Sequence, residues 1–385
     1  MNTRTPSESS SQDRIQWMRL SSCLLPLAQP ISDAKVLTGR QKPMTEIAML
    51  FAEIETRDGH RGLGMSYSKR AGGPGQFAHA SEIAPTLLGE DPSDIQRLWT
   101  RMCWAGASVG RSGLAVQSIG AFDVALYDIK ARRAGLSLSK LLGSQRDAVR
   151  CYNTSGGFLH TPLDQLKRNA SASLERGIGG IKLKVGQPDC AQDIARVTAM
   201  REHLGDAAAI MVDANQQWDR PTAQRMCRIF EAFNLVWIEE PLDAYDYEGH
   251  AALAAQFDTP IATGEMLTSA AEHGELIRQR SADFLMPDGP RLGGITPFLK
   301  VAAQAEAAHL NLAPHFAMEL HIHLAATYAS EPWVEHFDWL EPLFNERLEI
   351  ADGRIIVPTR PGLGLSLSEQ ARRWTCQSAE FGTRG

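Results

Sequence analysis

Six positions between 184 and 315 share one context, a short apolar run followed at once by a single polar residue: Lys184, Asp213, Glu239, Glu265, Asp288 and His315. Three of them are carboxylates at equal steps of 26 residues (213 to 239, 239 to 265). Such a step is about one strand-plus-helix unit, so three successive strands can each deliver one oxygen to the same place. Clustered carboxylates repel one another unless a cation sits among them. A set with oxygen donors and neither Cys nor His suits Mg2+ or Mn2+ rather than zinc. Any one acidic residue in a loop is commonly just solvated. Three in matching strand-end contexts point to a site.

Lys182-Leu183-Lys184 adds a second chemistry. On a strand, alternation places both ammonium groups on one face, and two close cations lower each other's pKa, which could leave one as a neutral base. On an exposed strand the same pattern would serve only solubility, but Ile181, Leu183 and Val185 on the alternate face favour burial. His315 follows Pro314, and Asp288 lies 27 residues earlier (288 to 315), one unit away. A carboxylate on the neighbouring strand would fix the imidazole tautomer and raise its basicity. His321 and His323 have no such partner and sit in a helical stretch, so they are read as structural.

These residues need a scaffold that brings strand ends together. Ile15–Leu25, Thr45–Glu55 and Gly62–Tyr67 are rich in strand formers, with a tight turn at Asp58-Gly59, and predict an antiparallel meander. From Gly113 to Gly135 the apolar residues Val116, Ile119, Phe122, Leu126 and Ile129 recur at helical steps, with Gly135 as a stop, predicting a helix packed on that meander. From about Val149 onward, runs at Ile181–Val185, Ala209–Val212, Leu235–Ile238, Pro260–Thr263, Asp283–Met286 and Leu310–Ala313 alternate with helical composition. One helix start is marked by Thr161 as N-cap, Pro162 at N1 and Asp164 at N3. About eight units fit between residues 145 and 345, which predicts an α/β fold with a closed, TIM-like (β/α)8 barrel. No G-x-G-x-x-G or Walker sequence supports an open nucleotide-binding sheet. After a turn at Asp352-Gly353, the stretch around Gly362-Leu363-Gly364 regains strand composition and is expected to rejoin the N-terminal domain. The expected division is a disordered tail over 1–12, an N-terminal domain over 13–140, the barrel over 141–350 and a C-terminal segment over 351–385.

Composition removes other classes. With 385 residues, 43% of them hydrophobic, a barrel plus a second domain is well within reach. The balance of 39 basic against 45 acidic residues, net −6, gives no overall positive charge to draw nucleic acid or an anionic membrane. Cys23, Cys103, Cys151, Cys190, Cys227 and Cys376 are scattered without a C-x-x-C pair and are read as free thiols in a reducing cytoplasm. The apolar run Cys23–Ile31 is short and broken by Pro26 and Pro30, neither signal peptide nor membrane span. A small molecule is the expected partner.

Taken together, Lys182-x-Lys184, Asp213-Ala214-Asn215, Ile238-Glu239-Glu240-Pro241, Gly264-Glu265, Asp288 with His315, and Glu335 in Trp333-Val334-Glu335 resemble the mandelate racemase subgroup of the enolase superfamily over nearly the whole chain. The resemblance implies an α+β capping domain, formed from the N-terminal region and the C-terminal segment, over the barrel. It implies Mg2+ on Asp213, Glu239 and Glu265, acid/base residues Lys184 and His315 on opposite faces of the substrate, and Glu335 as a hydrogen-bonding acid at the substrate carboxylate, with Lys182 and Asn215 also at the substrate. A homo-oligomer is expected. The chemistry agrees, because an α-proton beside a carboxylate is so weakly acidic that a side chain removes it only where the developing charge is stabilised.

Within that superfamily, a Glu at 265 departs from relatives similar to glucarate dehydratase, which carry Asn there. The K-x-K pair departs from mannonate and gluconate dehydratases. Mandelate racemase needs an apolar cap, whereas Ser32, Asp33, Lys35 and Arg40 in one loop and Ser68, Lys69 and Arg70 in another make this one ionic. Such cations either bind a second, distal carboxylate or are ordinary solvated loop charges. With Ser32–Arg40, Ser66–Arg70 and Cys151–Gly157, the chain is similar to the L-talarate/galactarate dehydratase family, which acts on six-carbon diacid sugars. The resemblance implies Asp33, Lys35, Lys69 and Arg70 at the substrate and dehydration of galactarate or L-talarate to 5-keto-4-deoxyglucarate. An epimerase or racemase using the same two bases is the alternative. A hydrolase on this fold would bring histidines from the first barrel strand, where Cys151, Tyr152 and Asn153 stand instead, and a non-catalytic binder would need no paired bases.

Overall fold

The computed structural model describes residues 13–154 and 156–384, so the tail expected over 1–12 lies outside the described residues. The meander forms as β1 (Ile15–Ile31), β2 (Met44–Thr56) and β3 (Arg61–Lys69), antiparallel throughout. Against it lies the helix Leu114–Arg133, 15 of whose 20 residues are buried, Val116, Ile119, Phe122, Leu126 and Ile129 among them. The approach is close. A Cβ on Gly62 or Gly64 would lie 2.3 Å and 1.8 Å from the main-chain oxygens of Ala125 and Ala121, so only glycine fits at those two positions of β3. The helix stops where Gly135 turns left-handed, with φ +66°.

Eight parallel strands follow: β4 (Ala148–Asn153), β5 (Gly180–Lys184), β6 (Ala209–Asp213), β7 (Ile238–Glu239), β8 (Ile261–Thr263), β9 (Phe284–Leu285), β10 (Asn311–Leu312) and β11 (Trp333–His336). They pair in chain order from β4 to β10, and β11 returns to pair with β4. Helices such as Cys190–Leu204, Arg220–Phe230 and Ile295–Ala307 connect them, which is the expected (β/α)8 arrangement. The expected helix start is shifted by one residue. Pro162 has extended ψ (148°) and its carbonyl accepts the first helical bond from Leu166, so Pro162 is the N-cap, the helix is Leu163–Glu175, and Thr161 provides no cap. Inside the barrel, Tyr152, Met211, Trp237, Phe284 and Trp333 fill the lumen below the mouth, with Tyr152 edge-on to Trp237 at 5.2 Å. Among the described residues no ladder joins β10 to β11. There the Glu335 carboxylate of β11 accepts from the Phe316 backbone N–H at 2.8 Å and spans the gap.

The C-terminal part divides in two. A hairpin, β12 (Ile350–Ala351) and β13 (Arg354–Ile356), adds antiparallel to the start of β4, and Ile355 and Val357 pack with Val149, Cys151, Ile322 and Val334 to close the barrel floor. The expected change of domain at 351 therefore falls inside a piece of barrel floor, because these apolar residues have their partners there. Only later does β14 (Thr375–Gly382) pair antiparallel with β1 and make the cap's fourth strand. All six cysteines are free thiols. Among the described residues no helix is long and apolar enough to cross a membrane.

Candidate active site

Asp213 and Glu239 end adjacent strands as direct register partners, and Glu265 follows the next. One oxygen from each lies within 4.8 Å of the others, and all three residues are buried. Two are aimed by their neighbours: Asp213 Oδ1 accepts from the Asn215 backbone N–H at 2.7 Å, and Glu239 Oε2 accepts from the indole of Trp237 at 3.1 Å. The chain leaves these strand ends through left-handed residues, Asn215 (φ +46°), Gln216 (+66°) and Glu240 (+40°), and reaches Glu265 through Gly264 (+128°). Burial, then the adjacent Asp213 charge, push the Glu239 carboxyl well above its ordinary range even with Lys182 beside it. Glu265 differs: although burial works against it, His315 and Arg291 hold its carboxyl well below the ordinary range. Three crowded, buried carboxylates with an all-oxygen donor set fit a hard divalent cation such as Mg2+.

Lys182 is buried and donates to both oxygens of Glu239 at 2.7 and 2.8 Å, with Glu335 Oε1 also at 2.8 Å. Lys184 donates to Asp213 Oδ2. Lys182 does press the Lys184 pKa down, as expected, but the net lowering that could leave one of them a neutral base is reversed. Burial opposes both charges, but Glu239 and Glu335 beside Lys182, and Asp213 beside Lys184, outweigh burial and mutual repulsion and raise both above the ordinary lysine value.

Across the mouth, His315 Nδ1 lies 2.7 Å from Asp288 Oδ2, while Nε2 faces Lys69 Nζ and Glu265 Oε2, each at 3.4 Å. Burial lowers the imidazole's pKa. Although burial works against it, the hydrogen bond and charge of His315 hold Asp288 down at about 2. The cap reaches this pair directly, for the Tyr67 hydroxyl donates to the same Asp288 Oδ2, and Asp288 Oδ1 accepts from the Arg291 backbone N–H at 2.9 Å.

Between cap and mouth lies a chamber of about 170 Å3 whose lining includes Asp33, Lys35, Lys69, Arg70, Lys184, Asn215, Glu265, His315 and Glu335. Lys182, Asp213, Glu239 and Asp288 stand behind this lining. Arg40 is exposed and does not line it. Asp33 has two internal duties, capping the short helix Ala34–Leu37 through the Lys35 and Val36 N–H groups and pairing with Arg70 at 2.8 Å. Lys69 sits 3.8 Å above the Phe316 ring centroid, and burial, with the Arg291 guanidinium next, lowers it to about 7.

Several lining residues escape a sequence reading that looks for strand-end charges. Arg291 donates to the Glu265 backbone oxygen at 2.7 Å and steadies that strand end. Its position one helical turn past Asp288 was the available signal. Tyr67, which reaches Asp288 from behind this lining, was visible only as the end of the third strand, and Phe158, Phe337 and Trp339 carry no charge to betray them.

The fold and site define a metal-assisted enzyme of the capped-barrel type, with one candidate acid/base group on each side of a three-carboxylate cradle. The chain belongs to the mandelate racemase/muconate lactonizing enzyme family of the enolase superfamily: residues 36–143 match the family's N-terminal domain and residues 165–371 match the enolase C-terminal domain-like model. The L-talarate/galactarate dehydratase of Salmonella typhimurium strain LT2 is 66% identical over 383 residues, covering 100% of this chain and 96% of that protein. Its structure liganded with Mg and L-lyxarohydroxamate superposes with a TM-score of 0.98 at 65% identity, over 100% of this chain and 98% of that one. L-talarate dehydratase from Polaromonas sp. JS666, complexed with Mg and L-glucarate, is 80% identical with a TM-score of 0.95, over 97% of this chain and 100% of that one.

Proposed function

We propose that this chain is a Mg2+-dependent acid-sugar dehydratase, a hydro-lyase that removes water from galactarate, L-talarate or both to give 5-keto-4-deoxyglucarate. The observation that carries it is the placement of Lys184 and the His315–Asp288 pair on either side of the Asp213, Glu239 and Glu265 cradle, beneath a cap that offers Lys35, Lys69 and Arg70. The named activity of the Salmonella relative and the Mg and acid-sugar ligands of the solved relatives support the same reading.

In this reading Asp213, Glu239 and Glu265 hold Mg2+, which when bound draws electron density from the substrate carboxylate and so stabilises the charge that builds as the α-proton leaves. Lys182, kept as an ammonium between Glu239 and Glu335, is a fixed positive charge at that carboxylate. One of Lys184 and His315 takes the α-proton, and the electron pair of that C–H bond forms the new double bond. The β-carbon–oxygen bond breaks, and His315 supplies the proton with which the hydroxyl leaves as water. The resulting enol becomes the ketone, so one diacid gives one keto-diacid and one water. Lys35, Lys69 and Arg70 bind the distal carboxylate, and Asn215 and Glu335 hold the near end. The cap is assigned to residues 13–140 with β14, working on a small acid in the cytoplasm, and a homo-oligomer is the expected assembly.

Incubating the chain with each diacid and Mg2+ and assaying the keto acid tests the assignment. Product from neither would overturn it. Lys184→Ala and His315→Asn are each expected to abolish turnover while largely keeping diacid affinity. Because both faces of the chamber carry a base, epimerisation is a second reading. Deuterium in recovered substrate of inverted configuration, without keto product, would select it.

A further inference from the structure

The chamber above the barrel mouth is not the only cavity there. A second one, about 440 Å3, lies alongside it, and the two share Ile31, Phe158 and Trp339. These three residues are a wall with one member from each of three places: the end of β1, the loop after β4 and the segment after β11. Phe158 is its centre. The ring is buried and stacks on Trp339 (5.8 Å between centroids, 15° between planes) and on His160 (5.8 Å, 7°). His160 Nδ1 also lies 3.0 Å from the Ser32 carbonyl, which ties this barrel loop to the cap beside Ile31.

The two sides of the wall differ. Inside, Lys35 and Arg70 line the same chamber as Ile31, where the distal carboxylate of a diacid is expected. Outside, the lining is polar, with Gln29, Gln165, Asn169 and His160; Gln165 already donates to Asn169 at 2.7 Å and Asn169 to the Gly156 carbonyl at 3.2 Å, so a polar chain there would join an existing amide network. The wall itself presents rings and an aliphatic side chain, with the Trp339 indole N–H as its one polar group, so a polar chain that reaches it meets at most one hydrogen-bond donor and one that exceeds it collides.

We propose that Phe158 and Trp339, closed by Ile31, are specificity-determining residues that set the length of acid this site accepts, as a partition between the reaction chamber and an outer polar subsite. The inference rests on the acid-sugar reading above. It adds that the outer cavity will take a polar extension of the acid's distal end once the partition is cut.

The test uses the full chain with Mg2+ and compares kcat/KM for the better of the two diacids with that for its distal monoamide carrying a 2-hydroxyethyl group. Phe158→Ala and Trp339→Ala are each expected to raise the amide-to-diacid ratio about tenfold or more over the unaltered chain, mainly by lowering the amide's KM. Phe337→Ala enlarges only the inner chamber, since Phe337 does not line the outer cavity, and is expected to leave the ratio low. If an alanine variant fails to fold, judged by its melting curve, the leucine variant at that position is read instead. A ratio within twofold of the unaltered chain, in variants that still dehydrate the diacid, overturns the partition and leaves the dehydratase reading standing. An equal gain in Phe337→Ala overturns it too, because volume alone would then explain the effect. An unaltered chain that dehydrates neither diacid fails the functional reading itself and takes the partition's role with it.

Discussion

Asp288 accepts three hydrogen bonds from groups of different origin: His315 from the barrel, Arg291 N–H from its own turn and the Tyr67 hydroxyl from the cap. The imidazole is held through a carboxylate that the cap helps to fix. Tyr67→Phe keeps the ring in its edge-on contact with Phe316 (4.9 Å, 73°) and removes one donor. A hydrogen bond to a charged group contributes about 1.5–3 kcal/mol. Where its loss misaligns a catalytic base, kcat is expected to fall about tenfold, with KM for the diacid changed less than about twofold, read from steady-state kinetics. Asp288→Asn, which leaves the imidazole without its carboxylate, is expected to cost more, about 10²–10⁴-fold. At this scale the sequence was readable where a residue carried charge at a strand end. It misled on Lys182 and Lys184, because their spacing shows the neighbouring ammonium while the carboxylates that dominate come from other strands. Phe158 and Trp339 had no charge to mark them.

Between residue and fold, the strand ends have a common shape. Beyond Asp213, Glu239 and His315 the chain turns through left-handed non-glycine residues, Asn215 and Gln216, Glu240, and Phe316 and Ala317 in turn. Such conformations cost about 1–3 kcal/mol each and persist where the surroundings over-determine them, as at sites that must aim a side chain. Periodicity showed where the strands lie but not these turns, since none of the five residues is a glycine that would announce a positive φ. After the last of them, the helix Met318–Ala325 carries a second oddity, Glu319, buried with neither carboxylate oxygen hydrogen-bonded among the described residues. Burial raises its pKa from 4.5 to about 8. Between those values the folded chain binds more protons than the unfolded one, so this group's contribution to stability is full below about pH 4.5 and is lost as pH rises through about 8. Glu319→Gln is expected to be near-neutral in acid and stabilising by a few kcal/mol at pH 8 and above, measured by denaturant unfolding across pH.

For the molecule as a whole, the count of β-α units made the barrel legible, and the return of the C-terminal segment to the cap was legible in outline. The floor hairpin was not, because Ile355 and Val357 look the same in sequence whether they join cap or barrel. On the proposed reading, the three-carboxylate cradle ties global stability to the ion. Mg2+ at 100 times its dissociation constant is expected to stabilise the fold by about 2.7 kcal/mol, a melting shift of a few degrees that chelation reverses and Asp213→Asn removes. One consequence of the architecture is a matter of time. The cap's sheet joins β1, near the start of the chain, to β14, some 350 residues later (31 to 375). On the ribosome, at about 5–20 residues per second, the edge of β1 that β14 will cover waits tens of seconds while the barrel is made. The uncovered edge, Trp17–Cys23 within β1, is a template for wrong pairing. The nascent chain is thus most exposed to aggregation just before its cap can close.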